Sequence, residues 1–473
     1  MSGANTPDRT PDRTTDKMAQ DMEAVVDHAI DAARRAGANQ VDVLLVEGDD
    51  REVRVRGDEI EFVKQAQERG LGIRVLVDAK EGRKTSIVST SDLAPDAIDR
   101  MAEEAVALAR ATAADPTAGL PEGGFAREIP DLDLFDPNDR NVSLDARIED
   151  AKRAESAARN FDARIDNSEG SQASSGHARV VYGNSEGFLG AYASASHGLF
   201  SEPIARDGDS MQRDYWMTSG RRLRDLDDAA AVGRKAAERA IRRLGSKRVK
   251  TCEVPVIFDA MTAPSLIGQL VSCLSGYSIY RESSFLGDKL GEKIASESVT
   301  IIDDGRLPRG LGSKPFDGEG QPTRRNVLVQ DGCLKSWLLD HYSGRKLGMD
   351  STGSAARGTG SAPRVGTTNL WLEPSDKTSG PTLEEMIAEL DRGLLVTELI
   401  GMGFNSTTGD YSRGAAGLWI EKGEIVHPVE EITIAGHLGD MFGQIDRIGR
   451  ELVFHGRTAA PPLRVAQMMI AGE

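Results

Sequence analysis

Arg179-Val-Val-Tyr-Gly-Asn-Ser-Glu-Gly-Phe-Leu-Gly-Ala-Tyr-Ala-Ser-Ala-Ser-His197 carries the pattern GxSxG at Gly183–Gly187, and the fold turns on how it is read. A nucleophile elbow needs a strand, a sharp turn exposing Ser185, and then a helix supporting an oxyanion hole. Arg179–Tyr182 makes a fair strand, but Phe188–His197 mixes aromatic and small residues with no helical period. The tetrapeptide Asn-Ser-Glu-Gly also occurs at Asn167–Gly170, without the leading glycine and again beside a β-like segment. Asn and Gly tolerate the positive φ of tight turns. Both copies are therefore expected to be hairpin turns, and the serine-hydrolase reading is set aside.

The surrounding sequence agrees. A helix is expected from Met18 to Ala36, because Met18, Met22, Val25, Val26, Ala29, Ile30 and Ala33 recur at three- and four-residue steps. Gly37 would end it. Four β-like runs follow, Val41–Glu47, Arg51–Arg56, Gly70–Val77 and Lys84–Ser89. In Arg51–Arg56 the valines Val53 and Val55 share one face and the arginines the other. A helix is expected over Pro95–Thr112 with Ile98, Met101, Ala105 and Leu108 inward, then a Gly/Pro-rich loop over 115–124. Helices over Asp145–Arg159 and Asp227–Leu244 flank the second β-rich stretch.

The basic stretch Gly245–Lys250 marks the boundary before a strand at Glu253–Phe258. Beyond it, helices are expected only at Pro264–Ser275, Leu383–Arg392 and near His437–Arg447. Short strands lie between glycines at Ser298–Ile302, Asn326–Gln330, Leu334–Leu338, Asn369–Leu372, Leu418–Glu421 and Glu431–Ala435. The expected class is α+β with two domains. Residues 1–17 read as a disordered tail, 18–245 as helices with an antiparallel sheet, and 246–473 as a β-rich domain with few helices.

The chain has 473 residues, enough for more than one core, and 58 Lys+Arg against 75 Asp+Glu, a net charge of −17. Such a surface repels phosphate backbones, so nucleic-acid binding is not expected. Three cysteines, Cys252, Cys273 and Cys333, make no framework and no CxxC pair, which fits a reducing compartment. The first twenty residues are polar, with a direct repeat at Thr6–Thr14, and no run of about 18 apolar residues occurs. A soluble, cytoplasmic protein without membrane contact is expected.

Other motifs fail on spacing. Ser343-Gly-Arg-Lys346 fits SxxK, and Lys377–Gly380 loosely echoes KTG, but they lie too close together for a penicillin-binding fold. No Gly-Lys dipeptide exists, so a Walker A loop is absent, and Ser406 stands where a dinucleotide fingerprint after Gly401-Met-Gly403 needs glycine. No two of the seven histidines are closer than ten residues, so no helix carries a His pair at ligating spacing.

The densest remaining feature is Gly401–Gly417, with five glycines, four Ser/Thr residues, Tyr411 and the pair Asp410/Arg413 in seventeen positions. It reads either as a glycine-rich connection bent around an Asp410–Arg413 salt bridge, or as a backbone-exposing loop that receives an extended ligand.

Thr408-Gly-Asp-Tyr-Ser-Arg-Gly-Ala-Ala-Gly-Leu-Trp-Ile-Glu421, followed by Gly423-Glu-Ile425 and Pro428–Gly436, resembles the C-terminal signature of the TldD/PmbA family, and within it the PmbA (TldE) branch. Tyr280–Leu286, Arg324-Arg-Asn326 with Asp331-Gly332, Trp337-Leu-Leu339 and Arg345–Gly348 match further blocks in order, and Gly183–Phe188 matches a family turn. The resemblance covers nearly everything after Met18. It implies a two-domain α+β subunit in a paired complex. TldD-type members are zinc peptidases with a His-Glu-x-x-x-His helix and a late cysteine ligand. With a PmbA-type subunit they degrade unfolded peptides and mature a peptide antibiotic, and the family also carries the older label of DNA gyrase modulator.

The corresponding helix here is Gly268-Gln-Leu-Val-Ser-Cys-Leu-Ser-Gly276, with neither histidine nor glutamate, and no cysteine follows Cys333. What the resemblance implies is a PmbA-type subunit without catalytic or metal-binding residues of its own, zinc being held by a TldD-type paralogue in a heterodimer or larger heteromer. Its tasks would be chamber closure and binding of unfolded peptide by strand addition, with Thr408, Gly409, Asp410, Tyr411 and Arg413 as peptide-binding residues. Two alternatives stay open: a self-sufficient peptidase, homodimeric, with dispersed ligands among His177, His197, His341 and C-terminal acids, and a non-proteolytic protein binding a gyrase or toxin–antitoxin partner.

Overall fold

The computed structural model describes residues 13–376 and 378–473. Helix α1 (Arg13–Arg35) starts five residues before Met18, so residues 13–17 of the expected tail are helical. The rest of the Thr6–Thr14 repeat and Lys377 lie outside the described residues.

The first half is built on one antiparallel sheet of β1 (Gln40–Arg56), β2 (Glu59–Ala79), β3 (Gly82–Thr90), β4 (Ala114–Asp115), β5 (Ile165–Asn184), β6 (Leu189–Asp207), β7 (Ser210–Arg213) and β8 (Trp216–Gly220). The spatial order is β4-β3-β2-β1-β5-β6-β7, with β8 also on β6. The runs Val41–Glu47 and Arg51–Arg56 are one strand, because Gly48–Asp50 pair on both sides, with Glu68–Ala66 and with Ala178–Gly176.

Strand alternation assigns the sheet's two faces. Val41, Val43, Leu45, Val53 and Val55 of β1 lie under four helices: α1, α2 (Pro95–Ala111), α3 (Leu144–Arg159) and α4 (Ala229–Ile241). Asp42, Leu44 and Val46 point the other way, where Leu44 and Val46 meet Tyr182 and Phe188 of the same half and Phe316 of the second half. Leu108 on α2 corrects the expectation of an inward residue: it is 53% exposed, while Ile98, Met101, Ala102, Ala105, Val106 and Ala109 form the buried stripe. At about 100° per residue, Leu108 falls roughly 20° beyond Met101, past the edge of that stripe.

The two Asn-Ser-Glu-Gly copies differ. Asn184–Phe188 is the β5–β6 hairpin turn, with Gly187 at φ +91° and the Asn184 side chain accepting from the Glu186 and Phe188 amides. Ser185 is buried and its Oγ accepts from the Val41 amide at 3.0 Å, with a strand following rather than a helix. Asn167–Gly170, expected as a second hairpin turn, is instead a bulge inside β5. Gly170 takes φ +101°, and Ser168 and Ser171 both donate to Glu155 of α3, which is fully buried. That polar anchor bends the strand and leaves the chain running on.

The second half holds β9 (Cys252–Phe258), β16 (Arg392–Ile400), β17 (Asp410–Glu421), β18 (Glu424–His437), β19 (Ile445–Ile448) and β21 (Leu463–Ala471) in the order β18-β17-β16-β9-β21-β19. β18 also pairs with β21, which curls the sheet on itself. A second sheet has the order β12-β11-β10-β15-β20, from β10 (Ile301–Asp304), β11 (Arg325–Gln330), β12 (Cys333–Leu334), β15 (Leu370–Leu372) and β20 (Thr458–Ala459). β13 (Ala355–Ala356) and β14 (Arg364–Val365) form a small hairpin. Between the sheets runs one core that includes Phe258, Leu270, Ile301, Leu328, Trp419 and Phe442. The helices are α5 (Ala263–Ser272), α6 (Gly276–Tyr280), α7 (His341–Leu347), α8 (Leu383–Ala388) and α9 (Leu438–Gly443), of which α6 and α7 were not expected. The fold is α+β. No helix among the described residues is long and apolar enough to cross a membrane.

Candidate functional site

The strand β9 delivers the chain to Asp259, whose carboxylate accepts from the Met261 and Thr262 amides and from Thr262 Oγ1, all within 3.0 Å. Arg239 of α4 donates to the same carboxylate at 3.4 Å, tying the start of α5 to the first half. Pro264 in the first turn fits the helix start. Leu266, Ile267, Leu270 and Val271 bury the inner side of α5, and a Cβ built on Gly268 meets only open space. The Ser283–Leu286 segment knits this helix to Gly401–Gly409. Ser284 Oγ donates to the Cys273 carbonyl at 2.7 Å, the Phe285 amide to the Ser406 carbonyl at 3.0 Å, and Ser406 Oγ to the Ser283 carbonyl at 3.2 Å.

The expected connection Gly401–Gly417 is half loop and half strand, because β17 begins at Asp410. Alternation then separates the five residues singled out from sequence. Thr408 and Asp410 are exposed, Gly409 is buried against the His437 ring, and Tyr411 and Arg413 point inward. The Asp410–Arg413 ion pair is not formed. Asp410 accepts from Thr408 Oγ1 at 2.6 Å, and Arg413 donates to Ser265 Oγ on α5 at 2.7 Å, since residues three apart on a strand face opposite ways.

The backbone edge that strand addition at these residues would use is filled by the chain itself. The Ser412 amide donates to the Gly403 carbonyl at 2.7 Å and the Asn405 amide to the Asp410 carbonyl at 2.9 Å, while β18 pairs the other side. His437 Nε2 donates to the Thr408 carbonyl at 2.9 Å, and its ring meets Phe285 edge-on at 5.2 Å. The tip is left projecting, with Met402 90% exposed and Ile400 beside it 54% exposed.

Zinc sites are built from thiolates, imidazoles and carboxylates. The side chains α5 offers along Gly268–Cys273 do not fit that set. Gln269 has its Oε1 buried without a hydrogen-bond partner, and burial pushes the Cys273 thiol up to about 11, so it stays protonated and donates to the Gln269 carbonyl at 3.5 Å. His177 and His197 sit on the first-half sheet with rings 5.7 Å apart, and burial lowers His197 to about 4. His341 opens α7, and burial lowers it to about 4 as well. No group of three His, Cys, Asp or Glu side chains among the described residues is arranged to hold a metal ion.

Sequence reasoning passed over the cluster around α6 and α7. Asp340 caps α7 by accepting from the Ser343 amide and Oγ, and the His341 amide donates to Glu319 at 2.8 Å. Burial, reinforced by the negative charge of Asp317, raises the Glu319 carboxyl to about 8. The Asp340–Ser343 spacing of an N-cap was the signal available in the sequence.

A helix-backed antiparallel sheet joined to a curled second sheet, with a short helix under a glycine-rich loop, is the architecture of several solved α+β proteins. A structure from Bacteroides thetaiotaomicron, named for modulation of DNA gyrase, superposes with TM-score 0.87 at 28% identity, covering 96% of this chain and 99% of the other. TldE from Thermococcus kodakarensis superposes with TM-score 0.85 at 25% identity, over 95% of this chain and all of the other. Metalloprotease PmbA of Escherichia coli O157:H7 is 42% identical over 422 residues, 89% of this chain and 90% of its own. The Haemophilus influenzae homologue is 37% identical over 449 residues, 94% and 95% of the two chains. Family models for the PmbA/TldA metallopeptidase match as domain 1 over 41–109, the central domain over 137–244 and the C-terminal domain over 251–472. The chain belongs to the PmbA/TldD metallopeptidase family.

Proposed function

We propose that this chain is the non-catalytic, PmbA/TldE-type subunit of a zinc-dependent peptidase complex, and that a TldD-type paralogue carries the metal. The observation that carries the proposal is α5: where the family's zinc peptidases have His-Glu-x-x-x-His, this chain has Gly268, Gln269 and a protonated, buried Cys273. Zinc hydrolysis needs ligands, an open coordination position and a base for the water. The role left to this chain is to close the partner's chamber and hold part of an unfolded peptide. Thr408 and Asp410, the exposed residues where the loop enters β17, would meet the peptide, with the buried Gly409, Tyr411 and Arg413 bracing them from beneath. The net charge of −17 argues against DNA as the direct ligand of a gyrase-linked activity.

The test is zinc content and casein-peptide cleavage, for this chain alone and co-purified with a TldD-type paralogue. Metal-free and inactive alone, with one zinc per pair and chelator-sensitive cleavage in the heteromer, is the expected result. Stoichiometric zinc with cleavage by this chain alone would overturn it.

A further inference from the structure

Between the two halves, away from the glycine-rich loop, lies a cleft of about 350 Å³ walled by β2 and β3 on one side and by α6 and α7 on the other. A second cavity of about 230 Å³ adjoins it and shares Tyr277, Arg281 and Arg364. Volumes of this order are at the small end for ligand sites, which run from roughly 300 to 1,000 Å³.

The wall is aromatic. Tyr277 and Tyr342 stack at 16° with centroids 6.0 Å apart, and Tyr280 packs on Tyr277 at 5.4 Å. Arg281 lies over the faces of both Tyr277 and Tyr280, 5.6 Å from each centroid. Its Nε donates to Tyr280 Oη at 3.2 Å. No carboxylate among the described residues comes within 4 Å of Arg281 or Arg364. The other arginines of the cleft are committed, Arg74 to Asp42 and Arg83 to Asp78.

The floor supplies an independent observation. Glu319 is 1% exposed, lines the cleft, and accepts a single hydrogen bond, on Oε2 from the His341 amide, leaving Oε1 without a protein donor among the described residues. Oε1 is not sealed in the interior but opens on the cleft, where only a bound group or solvent is left to pair with it. Burial and Asp317 keep this carboxyl protonated at neutral pH, so it is able to donate.

Two guanidinium groups with no carboxylate partner among the described residues, a wall of packed tyrosine rings and a buried acid at the bottom define a ligand. Planar arginine forks match a carboxylate, an aromatic wall takes a flat side chain edge to face, and the acid meets a polar group of the backbone. We infer that this interdomain cleft binds the C-terminal one or two residues of a peptide, with Arg281 and Arg364 on the terminal carboxylate and Tyr277, Tyr280 and Tyr342 around an aromatic last side chain. Naming the ligand as a peptide rests on the peptidase-subunit reading above, but the site itself does not depend on cleavage.

The test therefore measures binding to this chain alone. Titration calorimetry with N-acetyl-Phe-Tyr is expected to give one site per chain, and its C-terminal amide at least tenfold weaker binding. The double variant R281Q/R364Q, with both positions at the surface and the thermal midpoint checked, is expected to lose tenfold or more for the acid and nothing for the amide. Equal affinity for acid and amide, acid binding unchanged in the double variant, or no binding at millimolar probe would each overturn the inference. Displacement of the probe by inorganic phosphate at equal concentration would overturn the peptide assignment, reducing the site to a general anion site. Acid-selective binding together with a heteromer that cleaves nothing would leave the cleft standing and sink the peptidase-subunit reading instead.

Discussion

Arg357 crosses from the second half of the chain and donates to Asp42 of β1 at 2.7 Å, onto a carboxylate that Arg74 already holds from the paired position of β2. Asp42 and Arg357 are both almost wholly buried. Burial alone would raise the Asp42 carboxyl, but the charges of Arg357 and Arg74 outweigh it and hold it below the usual range. The pair thus pins the second half to the unhelical face of the first sheet. Replacing Asp42 by Asn leaves two guanidinium groups buried without a counter-charge, and is expected to cost about 3–5 kcal/mol in urea unfolding. A loss under about 1 kcal/mol would show that the arginines find water or another partner. Because the folded pKa is depressed, this stabilisation is present above the unfolded value of about 3.9 and fades as pH falls below it.

Glu319 behaves in the opposite sense. Its folded pKa is raised from 4.5 to about 8 by burial and by Asp317. The folded state holds a proton that the unfolded chain gives up, so this group's contribution to stability declines as pH rises from about 4.5 to 8. Glu319→Gln keeps the shape and cannot ionise. The variant is expected to match the parent's thermal midpoint near pH 4 and to exceed it progressively up to about pH 8, with a steady difference from there to pH 9. Midpoints that run parallel across that range would contradict a buried, protonated Glu319.

How far the fold was legible follows from which signals are local. Three-to-four-residue patterns gave the helices α1 and α2, period-two alternation gave the second part of β1, and the failed GxSxG context gave the β5–β6 turn. Asn167–Gly170 misled because the same four residues serve a turn and a bulge, and only Glu155, reaching in from α3, selects the bulge. The polar strand Glu59–Arg69 was missed because its side chains are mostly exposed and its regularity lies in backbone pairing with β1. Gly401–Gly417 marked the loop that packs over α5 through Ser406 and the Ser283–Leu286 segment, since close backbone packing leaves glycines behind. The cleft holding Glu319 gave no comparable signal, because it gathers residues from 74 to 364.

The loop over α5 can be tested at Gly409, which has φ +81° and lies against His437, so that a Cβ there would collide with the imidazole. Gly409→Ala is expected to push the ring off the Thr408 carbonyl and to cost at least about 1 kcal/mol, since alanine at positive φ is strained. Amide hydrogen exchange is expected to rise across 403–412 and to stay unchanged in β1 and β5. Uniform acceleration over the whole chain would mean that the loop is part of the global core rather than a local structure resting on His437.

Tyr411 separates support from contact. Its ring sits in the second-half core, 2% exposed, and its buried hydroxyl lies beside the Arg413 guanidinium without a well-directed hydrogen bond. Arg413 already donates to Ser265, so Tyr411→Phe removes at most one weak contact and is expected to change stability by less than about 1 kcal/mol. Asp410→Asn, one residue away on the exposed face, is expected to be equally silent in unfolding, because among the described residues its side chain is partnered by Thr408 alone. The two should part company in the heteromer. Peptide cleavage with the TldD-type paralogue is expected to be unchanged by Tyr411→Phe and to show a raised KM with Asp410→Asn, because only the outward residue of the strand can reach a peptide. A raised KM from Tyr411→Phe, with stability intact, would reverse that assignment and put the peptide on the inner face against α5.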